Sequence, residues 1–385
     1  MDAQAEEILR FFRELPDPRA ANARHLLSDI LSIAIMGVFC GADGWAAVEQ
    51  WAHCGLSWLQ TILDLPHGVP SHDTFDRVFG LIDPDAFEKC FMNWTAELAK
   101  SGRGKFVAID GKTLRRSFTR GWKKTPAHLL SAFTSANHLV LGQLKTDEQS
   151  NEITAIPRLL ALLDIKGTTV TIDAIGCQKE IAAQIIQQKG HYVLAVKSNQ
   201  ETLHAKVKSL LDEAILEGFH GMKHDHCSSV DGDHGRIETR RLWCTPEVHW
   251  LKETAEQWPG LKSIVVIEST REIKDSIESP AIERRYFISS HDGTDAQLLA
   301  EAIRGHWGIE NGLHWCLDVA MGEDQCRLRM KHGAENFSRL RRIALNKLKR
   351  HKVIKPNGKE LKVGIKIKQQ GCGWSRQQLL LAMTA

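Results

Sequence analysis

The sequence predicts an α/β protein whose core is a mixed five-stranded sheet with flanking helices. Three observations predict this fold class. Residues 1–100 carry apolar side chains at helical spacing between Pro and Gly breaks. From residue 105 onward, short apolar runs of strand length alternate with helical patterns. Residues 220–290 then return to strand-like runs, which indicates a β-rich insertion in the core.

The composition is that of an ordinary globular protein. The chain has 385 residues, a formal net charge of +3, 43% hydrophobic and 25% charged residues, which excludes disorder and collagen-like repetition. At roughly 100–200 residues per domain, this length allows two or three units. We place them at residues 1–100 (a helical accessory domain), 101–350 (the α/β domain with its insertion at about 220–290) and 351–385 (a basic tail).

The cysteines and the N-terminus bear on location. The nine cysteines are odd in number and form no Cys-x-x-Cys pair, so neither a disulfide framework nor a zinc ribbon is indicated. The first residues, MDAQAEEILRFF, are acidic where a signal peptide is basic. The longest uncharged apolar stretch, residues 30–42, is shorter than the roughly 18–20 residues that span a bilayer. We therefore expect a soluble, unprocessed, cytoplasmic protein without membrane contact.

The helical segment contains three apolar patterns between residues 8 and 54 and a fourth in VPSHDTFDRVFGLIDP. In the fourth, Ser71 or Asp73 can cap a helix that places four apolar side chains on one face, namely Phe75, Val78, Phe79 and Ile82. Such a helix could read DNA, but the core of an accessory bundle is the favoured interpretation.

The α/β segment predicts its strands in a definite order. They lie at 106–109, 129–133, 139–144, 168–172 and 191–196, with helices between the third and fourth and between the fourth and fifth. Three strands in an antiparallel meander, then helix, strand, helix and strand, is the order of a ribonuclease H-like domain. After a helix at 201–217, strand-like segments at 236–243, 263–268 and 283–289 predict an insertion that carries its own sheet.

Two aspartates follow apolar strands directly. Asp110 ends the first strand and Asp173 the fourth, and in open α/β sheets the ligand site lies outside the carboxyl ends of the strands. If those strands are parallel neighbours, the two carboxylates lie side by side. Paired carboxylates repel unless a cation sits between them, which favours a Mg²⁺ or Mn²⁺ site. The alternative, in which each aspartate caps a turn, is equally compatible with these two residues alone.

A third acid lies in a later helix. Glu310 shares a helical stripe with four apolar residues, Leu299, Ile303, Leu313 and Leu317, and a carboxylate on a buried face is expensive unless it is paired or metal-bound. The less favoured alternative is a position at the helix end, half in water. His306 and His314 lie four residues to either side and could orient the carboxylate or contact phosphate. Gly305, Gly308 and Gly312 weaken the helix, which indicates a close approach by backbone or ligand. Trp307 and Trp315 flank Glu310; they could stack on a splayed base, but core packing is favoured.

Cations cluster near these acids and toward the C-terminus. Lys112, Arg115, Arg116 and Lys197 lie at the predicted edge and could hold phosphates, although ordinary loop charges explain them nearly as well. Residues 327–370 hold 15 Lys or Arg against Glu335 and Glu360. Within them, a helix at 335–350 is predicted to bury its apolar side and to expose its arginines, so that Arg341 and Arg342 bind phosphate. His-rich residues 220–234 match no zinc spacing and predict a polar loop.

Several long runs resemble one known family. They are FVAIDGKTLRRS, LKTDEQSNEITAIPRLLALLDIKGTTVTIDAIGCQKEIA, HGRIETRRLW, RRYFISS and HWGIENGLHWCLDVAMGEDQCRLR. Together they are similar to the H-repeat-associated (ISAs-type) bacterial insertion-sequence transposases of the DDE superfamily, from about residue 5 to about residue 350. The resemblance implies a ribonuclease H-like core interrupted by a β-rich insertion. By position, it implies the catalytic and metal-binding triad Asp110, Asp173 and Glu310.

The glutamate helix departs from the wider group, in which Tyr-x-x-Arg-x-x-x-Glu is usual. Here the corresponding places hold Ile303, His306 and Glu310, so the usual arginine is missing, and His306 or Arg304 could take its role at the scissile phosphate. Asp318 is the reserve candidate for the third acid. The implied partners are the terminal inverted repeats of the element and target DNA, with a homodimer to hold two ends together.

Three function classes remain open on the sequence. The leading hypothesis is a DDE transposase that cleaves and joins DNA by two-metal-ion phosphoryl transfer. The second is a ribonuclease H-like nuclease without strand transfer, and the third is a catalytically inert DNA-binding relic. Metal-dependent cleavage separates the first two from the third, and attack by a DNA 3′-hydroxyl separates the first from the second.

Overall fold

The computed structural model describes residues 7–20, 23–99, 105–117, 126–146, 152–233, 236–273 and 281–385. The α-helices are α1 (Leu27–Phe39), α2 (Trp45–Cys54), α3 (Leu56–Leu59), α4 (His72–Leu81), α5 (Pro84–Ala99), α6 (Glu152–Leu162), α7 (Lys179–Gln187), α8 (Glu201–Leu216), α9 (Glu253–Glu256), α10 (Ala296–Ile309), α11 (Gly333–Arg350), α12 (Ile365–Trp374) and α13 (Arg376–Thr384). The strands are β1 (Phe106–Thr113), β2 (His128–Thr134), β3 (Leu139–Lys145), β4 (Thr169–Ile172), β5 (His191–Val196), β6 (Asp225–Asp233), β7 (Arg236–Thr245), β8 (Ser263–Ile273), β9 (Ala281–Ser289), β10 (Val353–Ile354) and β11 (Glu360–Leu361).

One large mixed sheet organises the molecule. Its strand order is β3-β2-β1-β4-β5-β9-β8-β7-β6, with β1, β4 and β5 mutually parallel and β2 and β3 antiparallel to their neighbours. The first five strands in this order are those that the sequence predicts, and their topology fits a ribonuclease H-like core. Helix α6 leads from β3 to β4, and helix α7 makes the crossover that the parallel neighbours β4 and β5 require.

The insertion does not form a separate sheet, so that prediction is wrong. Strand β9 pairs antiparallel with β5, with Val193 opposite Ser289, and the insertion therefore extends the core sheet to nine strands. Without β9, the edge of β5 would present unpaired backbone groups. The outermost strand, β6, escaped prediction because its sequence, DHCSSVDGD, is polar and lies at a sheet edge. Most of the predicted His-rich loop therefore lies at or within β6, and His234 lies outside the described residues.

Helix α11 is the buried axis of the helical half. It contacts α1, α4, α5 and α13 and also β3, so that the N-terminal helices and the sheet meet on it. Ser71 caps α4 by accepting from the backbone N–H of Thr74, as predicted, and the apolar residues of α4 lie in the shared core. The favoured interpretation of that helix as a packing element fits this arrangement.

The arginines of α11 are the main correction to the sequence analysis. Arg339, Arg341 and Arg342 were expected on the exposed side, yet none is more than 1% exposed. Arg339 pairs with Glu88 at 2.6 Å, and Arg342 pairs with Glu323 at 3.0 Å. These partners lie far away in sequence or outside the helix, so helical periodicity alone could not reveal them.

The basic C-terminal segment is folded. The short hairpin β10–β11 leads into α12 and α13, and both helices pack against α11. Among the described residues, no helix is long and apolar enough to cross a membrane.

Candidate active site

Asp110 and Asp173 lie side by side. Strands β1 and β4 pair in parallel up to Ile109 and Ile172, so the next residue on each strand is an aspartate at the same edge of the sheet. Beyond that point β1 continues to Thr113 as a partner of β2 only. The prediction that these strands are parallel neighbours is confirmed.

Each aspartate also makes local hydrogen bonds. The backbone N–H of Gly111 donates to Oδ1 of Asp110 at 2.9 Å, and the N–H of Ile175 donates to Oδ1 of Asp173 at 3.1 Å. One oxygen of each carboxylate therefore caps a turn, as the alternative interpretation predicts. The Oδ2 atoms leave both carboxylates able to bind a further ligand.

The site carries a surplus of negative charge. Burial, together with the negative charges of Asp173, Glu152 and Glu310, raises the pKa of Asp110 to about 7. Burial and the charge of Glu152 also raise the pKa of Asp173, which the positive charge of Lys197 partly offsets. Buried carboxylates that lie close to other negative charges are stabilised when they bind a proton or a cation.

Glu310 lies where the helix changes its winding. Helix α10 ends at Ile309, and two π-helical turns follow, Glu310–His314 and Cys316–Ala320. Because a π-turn holds more residues than an α-turn, the stripe predicted from α-helical spacing shifts here. Leu299, Ile303, Leu313 and Leu317 are buried as expected, but Glu310 is exposed, so its predicted place on the buried face is wrong. π-turns are frequent at functional sites.

The two tryptophans that flank Glu310 are exposed. Trp307, on α10, is 41% exposed, and Trp315, between the two π-turns, is 58% exposed. The prediction that both pack in the core is therefore wrong.

A close backbone contact fixes α10 on the sheet. The hydroxyl of Ser135, in the turn after β2, donates to the carbonyl of Gly305 at 2.5 Å. A Cβ at Gly308 would lie 2.6 Å from the same hydroxyl oxygen, so only glycine fits without a shift. The predicted close approach at these glycines is therefore made by the β2–β3 turn.

Glu152 is a fourth carboxylate that the sequence analysis missed. It begins α6, and its Oε1 lies 2.7 Å from Nε2 of His128, whose Nδ1 lies 2.9 Å from the hydroxyl of Thr113. A Cβ at Gly111 would overlap Oε1 of Glu152, so this carboxylate packs on the backbone next to Asp110. Acids are ordinary in the first turn of a helix, and only the Gly that follows Asp110 hinted at the contact.

Lys112 does not face a phosphate site. It is buried, and its Nζ lies 2.6 Å from Asp318, 3.4 Å from Glu323 and 3.2 Å from Asp324. Burial acts to lower the pKa of Lys112, but these three carboxylates outweigh it and the pKa is raised. The phosphate-binding role predicted for Lys112 is therefore wrong. The same contact occupies Asp318, which leaves Glu310 as the better candidate for the third acid.

The two histidines of the glutamate helix are neutral. Burial lowers the pKa of His306 to about 4, and its Nδ1 lies 3.1 Å from the hydroxyl of Thr171 on β4. Burial and the positive charges of Arg342 and Lys112 lower the pKa of His314 to about 4, with its Nδ1 3.6 Å from Oδ2 of Asp110. Near pH 7, His306 therefore packs α10 onto the sheet without offering a cation to phosphate, and His314 lies beside the aspartate.

The remaining predicted cations divide by exposure. Arg115, Arg116, Lys197 and Arg304 are exposed, and Arg304 pairs with Asp231 at 2.8 Å. Arg341 and Arg342 are buried, so their predicted binding of DNA phosphate is wrong. The Arg341 side chain donates to the carbonyl oxygens of Met321 and Asp43.

The two neighbouring aspartates, Asp110 and Asp173, offer the type of ligand that suits a hard divalent cation. Carboxylate oxygens are the ligands that Mg²⁺ and Mn²⁺ prefer, and the raised pKa of Asp110 marks negative charge that such a cation would offset. Within the described ranges, no group of three or more His, Cys, Asp or Glu side chains is arranged to hold a metal ion.

Comparisons with known proteins agree along nearly all of the chain. Residues 9–95 match the family model DDE_Tnp_1-associated, and residues 101–347 match the transposase DDE domain. The H repeat-associated putative transposase YhhI of Escherichia coli K12 is 40% identical over 379 residues, which cover 98% of this chain and 97% of that protein. Putative transposase YncI of Escherichia coli O157:H7 is 41% identical over 366 residues, covering 95% and 91%.

A solved structure with a weaker likeness is the piggyBac transposase synaptic complex with hairpin DNA, at 11% identity and a TM-score of 0.39, covering 100% of this chain and 78% of that chain. That score is too low to establish a shared fold. The sequence matches suffice without it: the chain belongs to the transposase DDE family and is similar to its H repeat-associated members.

Proposed function

We propose that this protein is a DNA transposase that cleaves at the terminal inverted repeats of an insertion sequence and joins the ends to target DNA. The observation that carries the proposal is the parallel register of β1 and β4, which sets Asp110 beside Asp173. The charge of Glu310 reaches Asp110 and helps to raise its pKa. The family membership supplies the reaction class.

The three carboxylates would share the chemistry. Asp110, Asp173 and Glu310 would hold Mg²⁺, with Mn²⁺ as a substitute. Ions held there would supply the chemistry of two-metal phosphoryl transfer, in which a water or a DNA 3′-hydroxyl is activated and the leaving oxygen of an in-line displacement is stabilised. Gly111 and Ile175 orient the two aspartates through their backbone N–H groups. His314, neutral near pH 7, can accept or donate one hydrogen bond beside Asp110.

DNA phosphates would meet the exposed cations around this edge. Lys197, Arg115 and Arg116 are exposed next to the carboxylates in sequence or space, and Arg304 is exposed on α10. These side chains replace the buried Arg341 and Arg342 as candidates for backbone contacts. A homodimer remains part of the proposal because two element ends must be held together.

The test uses the full chain and DNA that carries both segments flanking this reading frame. We expect nicks with free 3′-hydroxyls and joined products in Mg²⁺ or Mn²⁺ and neither in EDTA, with ends mapped at nucleotide resolution. Asp110→Asn, Asp173→Asn and Glu310→Gln should each reduce cleavage at least about 100-fold, since losing a residue that merely orients a metal ligand already costs about 10–100-fold. Asp85→Asn, an exposed aspartate on α5, is the matched control.

Each alternative has its own outcome. Cleavage without any joined product would make the protein a nuclease. Binding to the ends that metal does not affect, with no cleavage, would make it an inert DNA-binding relic. Full activity of Asp110→Asn would remove the carboxylates from the mechanism.

A further inference from the structure

The helical half contains a cavity of about 730 Å³ between the segment that precedes α1 and the residues from Val69 through α4. We call it the α4 cavity. The residues that line it, in the part of the chain that the structure describes, are all different from those of the candidate active site. Its volume falls within the range of about 300–1,000 Å³ that is usual for small-molecule sites.

Three arginines line the α4 cavity, and the described residues of its lining include no acid. They are Arg19, Arg24 and Arg77. Arg24 and Arg77 are exposed, and neither forms an ion pair with the residues that the structure describes. Positive charge that no carboxylate offsets, on the wall of a concave site, favours an anionic ligand.

Arg19 is held in place by a neighbouring acid. Its Nε and one terminal nitrogen donate to the two carboxylate oxygens of Asp17 at 2.9 and 2.7 Å, and its side chain is only 9% exposed. Asp17 itself does not line the cavity. The other terminal nitrogen of Arg19 has no hydrogen-bond partner within the described ranges, so it can donate to a ligand. Because this guanidinium is already ordered, little side-chain freedom would be lost on binding.

The ring of His25 adds a flat surface beside the arginines. Burial and the positive charges of His67, Arg19 and Arg24 lower the pKa of His25, so its ring is neutral near pH 7. The rings of His25 and His67 lie nearly perpendicular, with their centroids 6.1 Å apart. The arginines are thus close enough to act on one group, and His25 offers an uncharged aromatic face next to them.

The rest of the lining is divided between hydroxyl and apolar groups. Ser71 and Thr74 lie at the beginning of α4, where the helix dipole favours negative charge. The hydroxyl of Ser71 accepts from the backbone N–H of Thr74, and its own proton remains available to a ligand. The apolar part of the lining comprises Pro18, Ala20, Ala23, Val69 and Leu81. Such a lining suits a ligand with one charged part and one uncharged part.

We propose that the α4 cavity binds a nucleoside polyphosphate, with its phosphates on Arg19, Arg24 and Arg77 and its base against His25 and the apolar lining. Guanidinium groups match phosphate oxygens in pairs, and three of them suit several linked phosphates. A concave site favours such a small molecule over duplex DNA, which carries its phosphates on a convex surface. The proposal goes beyond DNA cleavage and does not depend on it.

The test is calorimetric titration of the full chain in EDTA, so that no metal ion can bring a nucleotide to the carboxylates. The probes are ATP, GTP, adenosine, inorganic phosphate and a blunt duplex of the element end. We expect one molecule of ATP or GTP per chain. Arg24→Gln and Arg77→Gln should each weaken its binding about tenfold, that is by about 1.4 kcal/mol. Adenosine and phosphate alone should bind far more weakly than the whole nucleotide.

Two further variants sharpen the test. Val69→Trp leaves the charge unchanged but fills the cavity, and it should abolish nucleotide binding. Arg10→Gln removes an exposed arginine of the helical half that does not line the cavity, so it is the matched control and should leave the affinity unchanged. Thermal unfolding without ligand checks that each variant is folded. If Val69→Trp is not, the exposed positions Arg24 and Arg77 decide the outcome.

Four results would overturn the proposal. They are no binding of ATP or GTP at about 1 mM, equal affinity in the native chain and in both arginine variants, phosphate binding as tight as ATP binding, and arginine variants that weaken duplex binding alone. The last result would assign the cavity to DNA. Failure of the proposed function is distinguishable, since a chain that never cleaves DNA but binds ATP through Arg24 and Arg77 would support the α4 cavity and contradict the transposase.

Discussion

At the scale of the residue, Asp110 couples stability to pH. Its pKa of about 7 lies above the ordinary value of 3.8. As the pH rises, the unfolded chain therefore loses this proton first, and the contribution of Asp110 to the free energy of unfolding, fully present below pH about 4, is lost as the pH rises through about 7. Asp110→Asn should accordingly be more stable than the native chain at pH 8, by about 1–3 kcal/mol, and equally stable near pH 4.

Urea unfolding in EDTA at both pH values measures this difference. Added Mg²⁺ should then stabilise the native chain at pH 8 and leave Asp110→Asn unchanged, because a ligand that binds only the folded state stabilises it. A variant that is less stable than the native chain at pH 8 would contradict the charge surplus at the site.

Glu152 affects the acid side of the activity profile. Its charge contributes to the raised pKa of both Asp110 and Asp173. Glu152→Gln should therefore move the acidic limb of cleavage activity to lower pH. Glu180→Gln, an exposed acid in the first turn of α7, is the control and should leave the limb in place. An unmoved limb in Glu152→Gln would show that this carboxylate does not act on the aspartates.

At the scale of the element, helix α11 carries several charged side chains that are buried inside the protein. Arg342→Ala should leave Glu323 buried without its main partner, and we expect a loss of about 3–5 kcal/mol in the free energy of unfolding. Although burial acts to raise it, the charges of Arg342, Lys112 and Arg341 hold the pKa of Glu323 at about 2. A stably folded Arg342→Ala protein with weakened DNA binding would instead restore the exposed role that the sequence indicated.

Lysines of the β10–β11 hairpin and its flanks, rather than the buried arginines of α11, should carry the salt dependence of DNA binding. Replacing Lys355, Lys359 and Lys362 with Gln removes three exposed cations, each of which contributes about 0.9 to the slope of log K against log salt when it contacts a phosphate. We expect the slope for end binding to become shallower by up to about 2.7 units. The control replaces three exposed lysines elsewhere, Lys166, Lys223 and Lys262. Equal slopes in the two triple variants would contradict a role for the hairpin.

These elements show what could be predicted from sequence and why the rest could not. Apolar runs and their order predicted β1 to β5, and strand ends predicted the pairing of Asp110 with Asp173. Contacts between residues far apart in the sequence could not be predicted. The pairing of β9 with β5 is made by backbone groups, and the burial of α11 depends on Glu88 and Glu323. The change from α- to π-helical winding at Glu310 could not be predicted either, because the apolar pattern was interpreted with α-helical spacing.

At the scale of the whole molecule, the N-terminal helices and the sheet depend on the same core. Residues of α1, α4 and α5 pack in one apolar cluster with α11 and with Phe133 and Val140 of the sheet. A piece that comprises residues 101–385 should therefore expose this cluster and fail to give a cooperative unfolding transition. Calorimetry on that piece and on the full chain tests the expectation, and a sharp transition of the piece would show that residues 101–385 form an independent domain.

The side chain of Asn336 bears on when the N-terminal helices can complete their folding during synthesis. Its amide donates to the carbonyls of Phe79 and Ile82, more than 250 positions earlier, at 2.8 and 3.0 Å. During synthesis the early helices therefore wait for α11 with their apolar faces uncovered, until most of the chain has left the ribosome. Products that terminate before residue 333 would lack the helix that closes this core, and we expect proteases to clear them, so that a cell would accumulate only nearly complete copies.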